Sequence, residues 1–257
     1  MVVLPRMSWK FISRKMRANN KKHSLGFNPK FKLYKITNNL YCVEMKNPYD
    51  LAMLFVRYQE YYESPNPLVR GQAFDIDEYM RWYATSDTRR YVKGSENTFS
   101  YPTDFAGYNI PSSSINDILI KGNYKGNLNM WDNLMMDIRN SVILDIGKGE
   151  EHNFYLIGTP HMDSDVLRHE IAHGFYYLGI IYRDLMNDLI KTDLTKVQLK
   201  EFKKVLKTYH YADEVMLDEI QAYLSADEQN REFPKVNDSG FKTVFKEYYK
   251  NIKPKLI

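Results

Sequence analysis

Residues 163–179, DSDVLRHEIAHGFYYLG, decide how the chain is read. Asp163 and Ser164 are both suited to cap a helix start. Leu167, Ile171, Phe175 and Leu178 then recur at helical spacing and form one apolar stripe. His169 and His173 fall outside that stripe, on a neighbouring face with Tyr176 or Tyr177. Four residues apart, the two histidines lie one turn apart on the same side of a helix. That places two imidazole nitrogens where one Zn²⁺ can take both at about 2.0–2.1 Å. Glu170 follows the first histidine and is displaced sideways, where it can accept a proton from water. A chain with this content of His and Glu carries H-E-x-x-H by chance in roughly 1% of cases, and the surrounding helix sharpens the signal further.

A hydrolytic zinc site of this kind needs a third protein ligand and an open position. The extension that would supply a third histidine from the same segment is absent: Tyr176 and Gly179 stand at its glycine and histidine positions. The ligand must therefore come from elsewhere. Glu219, in LDEIQAYLS 46 residues past His173, is the best candidate. It lies mid-helix, beyond a helical hairpin that can bring its segment back against the first helix. Asp218 points about 100° away on the same helix. Asp213 and Glu214 fit helix capping, and Asp193 falls at a helix boundary.

HEIAH followed by a downstream helix containing E-x-x-A resembles the gluzincin class of zinc metallopeptidases. The resemblance is confined to about residues 163–226. It implies that His169, His173 and Glu219 bind zinc, that Glu170 is the general base, and that the substrate is a peptide or protein. Residues 36–140 match no family.

Peptide hydrolysis also needs a donor for the developing oxyanion. Tyr223, one turn after Glu219, and His210, shortly before that helix, are the first candidates. Tyr211, His161 and Arg168 are further ones. Asp218 is eligible to orient a ligand histidine. The strand expected at 152–159, HNFYLIGT, is suited to pair with an extended substrate. The aromatic, turn-rich segment 98–114, TFSYPTDFAGYNIPSSS, reads as a packed surface loop or as the wall of a cleft.

Outward from the motif, the remainder of the C-terminal half is helical, in segments at 182–191, 194–209, 213–226 and 239–252. Upstream, alternating runs at 31–36 and 40–45 around Thr37-Asn38-Asn39 predict a β-hairpin. Helices are expected at 50–64 and 75–86, the second with a capping-box pattern at Asp75 and Glu78. Residues 93–128 read as loop with an apolar patch at 115–120. WDNLMMDIRN (131–140) reads as helix, and SVILDI (141–146) as a strand turning through GKGE into HNFYLIG. The expected class is α+β, with a small antiparallel sheet in the N-terminal half and a helical C-terminal half carrying a zincin-like active-site helix.

The 257 residues are 44% hydrophobic and 26% charged, enough for one globular core without staples. With Cys42 the only cysteine, no internal disulfide is possible, which fits an intracellular, cytoplasmic location. No apolar run reaches transmembrane length and no secretory signal pattern opens the sequence. The formal charge of +4 conceals a division: residues 1–35 hold ten Lys/Arg and no acid, leaving 26 basic and 32 acidic groups in the rest. Residues 1–30 therefore read as a basic arm, a solvated tail, ahead of a single metallohydrolase domain at 31–257. The arm suits weak contact with polyanions through residues 1–35. A competing function follows from it: a nucleic-acid- or membrane-surface-binding protein using Trp9, Phe11 and Phe27 beside the charges, with a structural or degenerate zinc site. A closed structural site would need a further His or Cys; His161 or His210 could serve, whereas Cys42 is far away in sequence. No phosphate-binding glycine motif is present.

Overall fold

Alternating apolar residues at the start of the described chain form two strands, β1 (Lys32–Thr37) and β2 (Leu40–Glu44), paired antiparallel. Asn39, in the tight turn between them, adopts a φ of 64°, a left-handed conformation that asparagine tolerates. The computed structural model describes residues 29–85, 98–147, 153–162, 164–209, 211–226 and 232–257. Most of the basic arm, residues 148–150 of the GKGE turn, Asp163 and His210 lie outside these.

Helix α1 (Pro48–Glu63) begins at a proline behind Asn47, whose side chain accepts from the Tyr49 amide at 3.0 Å. Helix α2 (Ile76–Thr85) starts at Asp75, whose carboxylate accepts from the amides of Asp77 and Glu78 at 2.9 and 3.0 Å. The segment expected as loop holds regular structure instead: a turn of helix α3 (Tyr101–Asp104), strand β3 (Tyr108–Pro111) and helix α4 (Ser112–Leu119). Residues 141–146 are likewise not a strand. They complete helix α5 (Met130–Ile146), which a full capping box at Asn129 and Asp132 launches. Met135, Ile138 and Val142 line its buried face at helical spacing, while Leu144 is exposed. The helical period therefore prevails over the β-branched run.

Strand β4 (Tyr155–Thr159) follows, and then the helical half: α6 (Asp165–Leu178), α7 (Ile180–Asp193), α8 (Lys196–Thr208), α9 (Met216–Ser225) and α10 (Ser239–Tyr249). Strand β5 (Lys255–Leu256) pairs with β1. The sheet order is β3-β4-β2-β1-β5, antiparallel throughout except for the parallel pair β2–β4. The fold is mixed α and β: a five-stranded, mostly antiparallel sheet whose first four strands fall within residues 32–159, and a helical C-terminal half.

Both faces of the central strands are covered, so β2 and β4 are buried along nearly their whole lengths. A Cβ on Gly158 of β4 would stand 2.6 Å from the Phe55 ring, so α1 seats tightly on one face. On the other, Leu40, Cys42, Tyr155 and Ile157 join Leu167, Ile171 and Phe175 of α6 in one core with α7–α10. At Gly174 a Cβ would lie 2.5 Å from Leu40, so the absent side chain lets α6 approach the sheet. A buried tie fixes α1 to α5. Arg57 Nε donates to Asp132 Oδ1 at 3.1 Å, and the Tyr58 hydroxyl donates to the same oxygen at 2.9 Å.

Candidate metal centre and its cleft

Ser164 caps α6, accepting from the Leu167 amide at 3.1 Å. The apolar stripe below it faces the sheet, which turns His169 and His173 toward α9. Between the two helices, α7 and α8 form the intervening hairpin, and Gly179 makes the sharp join from α6 to α7. The chain has therefore already left the first helix at the position where a third histidine would be needed. Glu219 of α9 fills the place instead. One ligand atom each from His169, His173 and Glu219 lie within 4.8 Å of one another, and all three residues are buried.

The separations suit a metal. The two Nε2 atoms are 3.1 Å apart, and the Glu219 oxygens lie 3.6 Å from that of His173 and 3.8 Å from that of His169. Ligands around a tetrahedral ion with bonds of about 2.0–2.1 Å stand roughly 3.3 Å apart. The donor set of two imidazoles and a carboxylate matches catalytic zinc sites chemically. Asp218, one residue before the third ligand, reaches His173 from behind: its Oδ1 is 2.9 Å from Nδ1. That short contact places a carboxylate behind the ring, while Nε2 faces the shared point. Burial disfavours a charged His173, but Asp218, Glu219 and Glu170 outweigh it and raise its pKa well above the usual histidine range.

Asp218 is itself held. Gln221 Nε2 donates to Asp218 Oδ1 at 2.9 Å, and the fully buried Tyr182 hydroxyl donates to Gln221 Oε1 at 3.1 Å.

Glu170 projects into the same cleft and is fixed from the sheet side. Asn109 of β3 donates from Nδ2 to Glu170 Oε2 at 2.9 Å, and the Tyr155 hydroxyl donates to Asn109 Oδ1 at 2.5 Å. The Asn109 amide in turn donates to Gln59 Oε1 at 3.1 Å. Gly107 must lack a side chain, because a Cβ there would stand 2.5 Å from Glu170 Oε1. The cleft holds about 490 Å³ of empty space and is bounded by α1, the 105–109 segment, α6 and α9.

The other expected residues divide. Tyr223 lines the cleft with its ring centroid 4.7 Å from that of His169, and Tyr211 lines it too. His210 lies outside the described residues. Arg168 pairs with Asp165 on the exposed side of α6, and His161 is exposed in the turn before it; neither borders the cleft. Asp213 pairs with Lys207 and Glu214 with Arg70, away from the centre. Asp193 sits at the end of α7 beside Gly240. Among the described residues no fourth His or Cys joins the three ligands, and Cys42 is buried against Met162. Strand β4 has neighbours on both sides, β2 and β3, so it cannot pair with a substrate strand; the sheet edge at this end is β3. The 98–114 segment is not a surface loop but contributes to both the cleft wall and the core. Phe105 and Gly107 wall the cleft, while Tyr101 and Tyr108 are buried.

Sequence reasoning did not single out Asn109, Gln59 or Glu63. Each belongs to an element whose relation to the motif only the sheet order creates. No protein-family model, curated protein or solved structure matches this chain.

Proposed function

We propose that this protein is a zinc-dependent hydrolase, a metallopeptidase acting on peptide or protein substrates. The observation that carries the proposal is the convergence of His169, His173 and Glu219 beside Glu170 in an accessible cleft. Zinc held there would polarise the substrate carbonyl and make water acidic enough to be deprotonated near neutral pH. Glu170 takes the proton from the attacking water and returns it to the leaving amine. Asn109 keeps one Glu170 oxygen occupied, which directs the other toward the cleft. Tyr223 and Tyr211 bring hydroxyls to the cleft wall, the chemistry that an oxyanion donor requires.

The test joins metal analysis to hydrolysis. The purified protein should hold one zinc per chain and cleave a mixed peptide library. Glu170→Gln should keep the zinc while losing about 10²–10⁴-fold in rate. Absence of zinc, or undiminished activity in Glu170→Gln, would overturn the proposal. In Glu219→Ala the zinc should be lost.

A further inference from the structure

A second cleft adjoins the candidate metal centre and shares three walls with it, Glu63, Phe105 and Tyr211. A substrate engaged at one cleft is therefore within reach of the other. The added walls are mainly aromatic: Tyr79, Trp82 and Tyr83 come from α2. Tyr79 lies between the other two, with ring centroids 5.4 Å from Trp82 and 5.9 Å from Tyr83.

An aromatic pocket alone would suit any apolar group, but two carboxylates stand in these walls. Glu60 is only 5% exposed, and Glu63 stands at the seam between the clefts. Ser64 and Tyr79 lie beside the Glu60 carboxyl, Gln59 Nε2 donates to Glu63 Oε1, and His173 also acts on Glu63. No Lys or Arg is among the described residues lining either cleft. With no Lys or Arg in these walls, burial favours the protonated form of both carboxyls, and a bound cation would favour the ionised form. Aromatic walls with carboxylates among them are complementary to an organic cation, which gains from both.

We infer that this second cleft is a specificity pocket for a cationic side chain, lysine or arginine, of the peptide whose backbone lies at the metal centre. The inference rests on the peptidase proposal for its substrate class. The pocket can be tested without catalysis.

The probes are N-acetylated, C-amidated peptides in matched pairs: lysine against norleucine, arginine against citrulline. Acetylation leaves the side chain as the only cation. The zinc-loaded protein should cleave the cationic member with kcat/KM at least about tenfold higher. In Glu60→Gln the ratio of cationic to neutral cleavage should fall toward one. Trp82→Leu, which keeps the wall apolar, is the second variant and should also reduce the preference. Calorimetric titration of the same pairs into zinc-loaded Glu170→Gln provides the arm free of catalysis, with the same order of affinities expected. Equal cleavage and equal binding within each pair, or a preference untouched in a folded Glu60→Gln or Trp82→Leu, would overturn the pocket. Cleavage without preference sinks the pocket and leaves the peptidase. Preferential binding without cleavage, lost in Glu60→Gln, sinks the peptidase and leaves the pocket.

Discussion

Asp218 and Glu219 are neighbours with different duties, and the angle between them on α9 is what separates the duties. Successive helical residues diverge by about 100°, so one carboxylate reaches the point between the histidines and the other reaches the back of His173. Removing the Asp218 charge leaves all three ligands in place but weakens the hold on the His173 ring. Asp218→Asn should therefore lower zinc affinity about 10–100-fold with the fold intact. Competition with a chromophoric chelator measures this; an unchanged affinity would mean that the 2.9 Å contact orients nothing. At this scale the sequence was informative where spacing alone fixes geometry. His169, His173 and Glu170 needed only a helix, and Glu219 only a second helix returning to the first. Asn109 and Gln59 were illegible. Their roles depend on which strand ends beside α6, and no local pattern specifies that.

The elements show where local signals suffice and where they mislead. Helix α6 was legible because cap, stripe and motif agree. Residues 141–146 misled because Val, Ile and Leu in succession suit a strand, whereas the Asn129 cap and the burial of Met135, Ile138 and Val142 belong to one continuous helix. Strand β3 was hidden by its four-residue length and its terminal proline. The packing of α1 against α5 depends on Arg57, whose guanidinium also donates to the carbonyls of Phe74 and Asn127, both at 3.3 Å. In Arg57→Leu the Asp132 carboxylate would stay buried without its cation. The expected loss is about 3–5 kcal/mol of stability, read from the denaturant midpoint. A loss under about 1 kcal/mol would place the pair among weak surface bridges.

Across the whole molecule, the candidate metal centre concentrates acidic and basic groups inside a folded core, and this links stability to pH. His173 binds its proton more tightly in the fold than in the unfolded chain. The stability so gained is full below the unfolded value of about 6.5 and is lost as pH rises through the raised folded value. Glu63 acts with the same sign. Burial first, then the neighbouring Glu219, push its pKa well above the carboxylate range, so the folded state keeps a proton that the unfolded chain has released. The metal-free protein should thus melt at lower temperature as pH rises from about 5 to 8. Zinc bound as proposed would replace the proton on the His173 site and should restore more stability at the alkaline end. Melting curves with and without chelator test this; a zinc effect that shrinks as pH rises would contradict it.

The parallel pair β2–β4 has a kinetic consequence. Its partners are separated by the 110 residues between Glu44 and Tyr155, and the pairing must wait for that long loop to close. Before it closes, the β1–β2 hairpin and individual helices can form, but Asn109 and Gln59 have no reason to stand beside Glu170. This expected order makes the cleft a late product of folding. Zinc should leave the refolding rate nearly unchanged and slow unfolding instead. Once assembled, the centre would act as a latch that keeps a slowly built fold from opening.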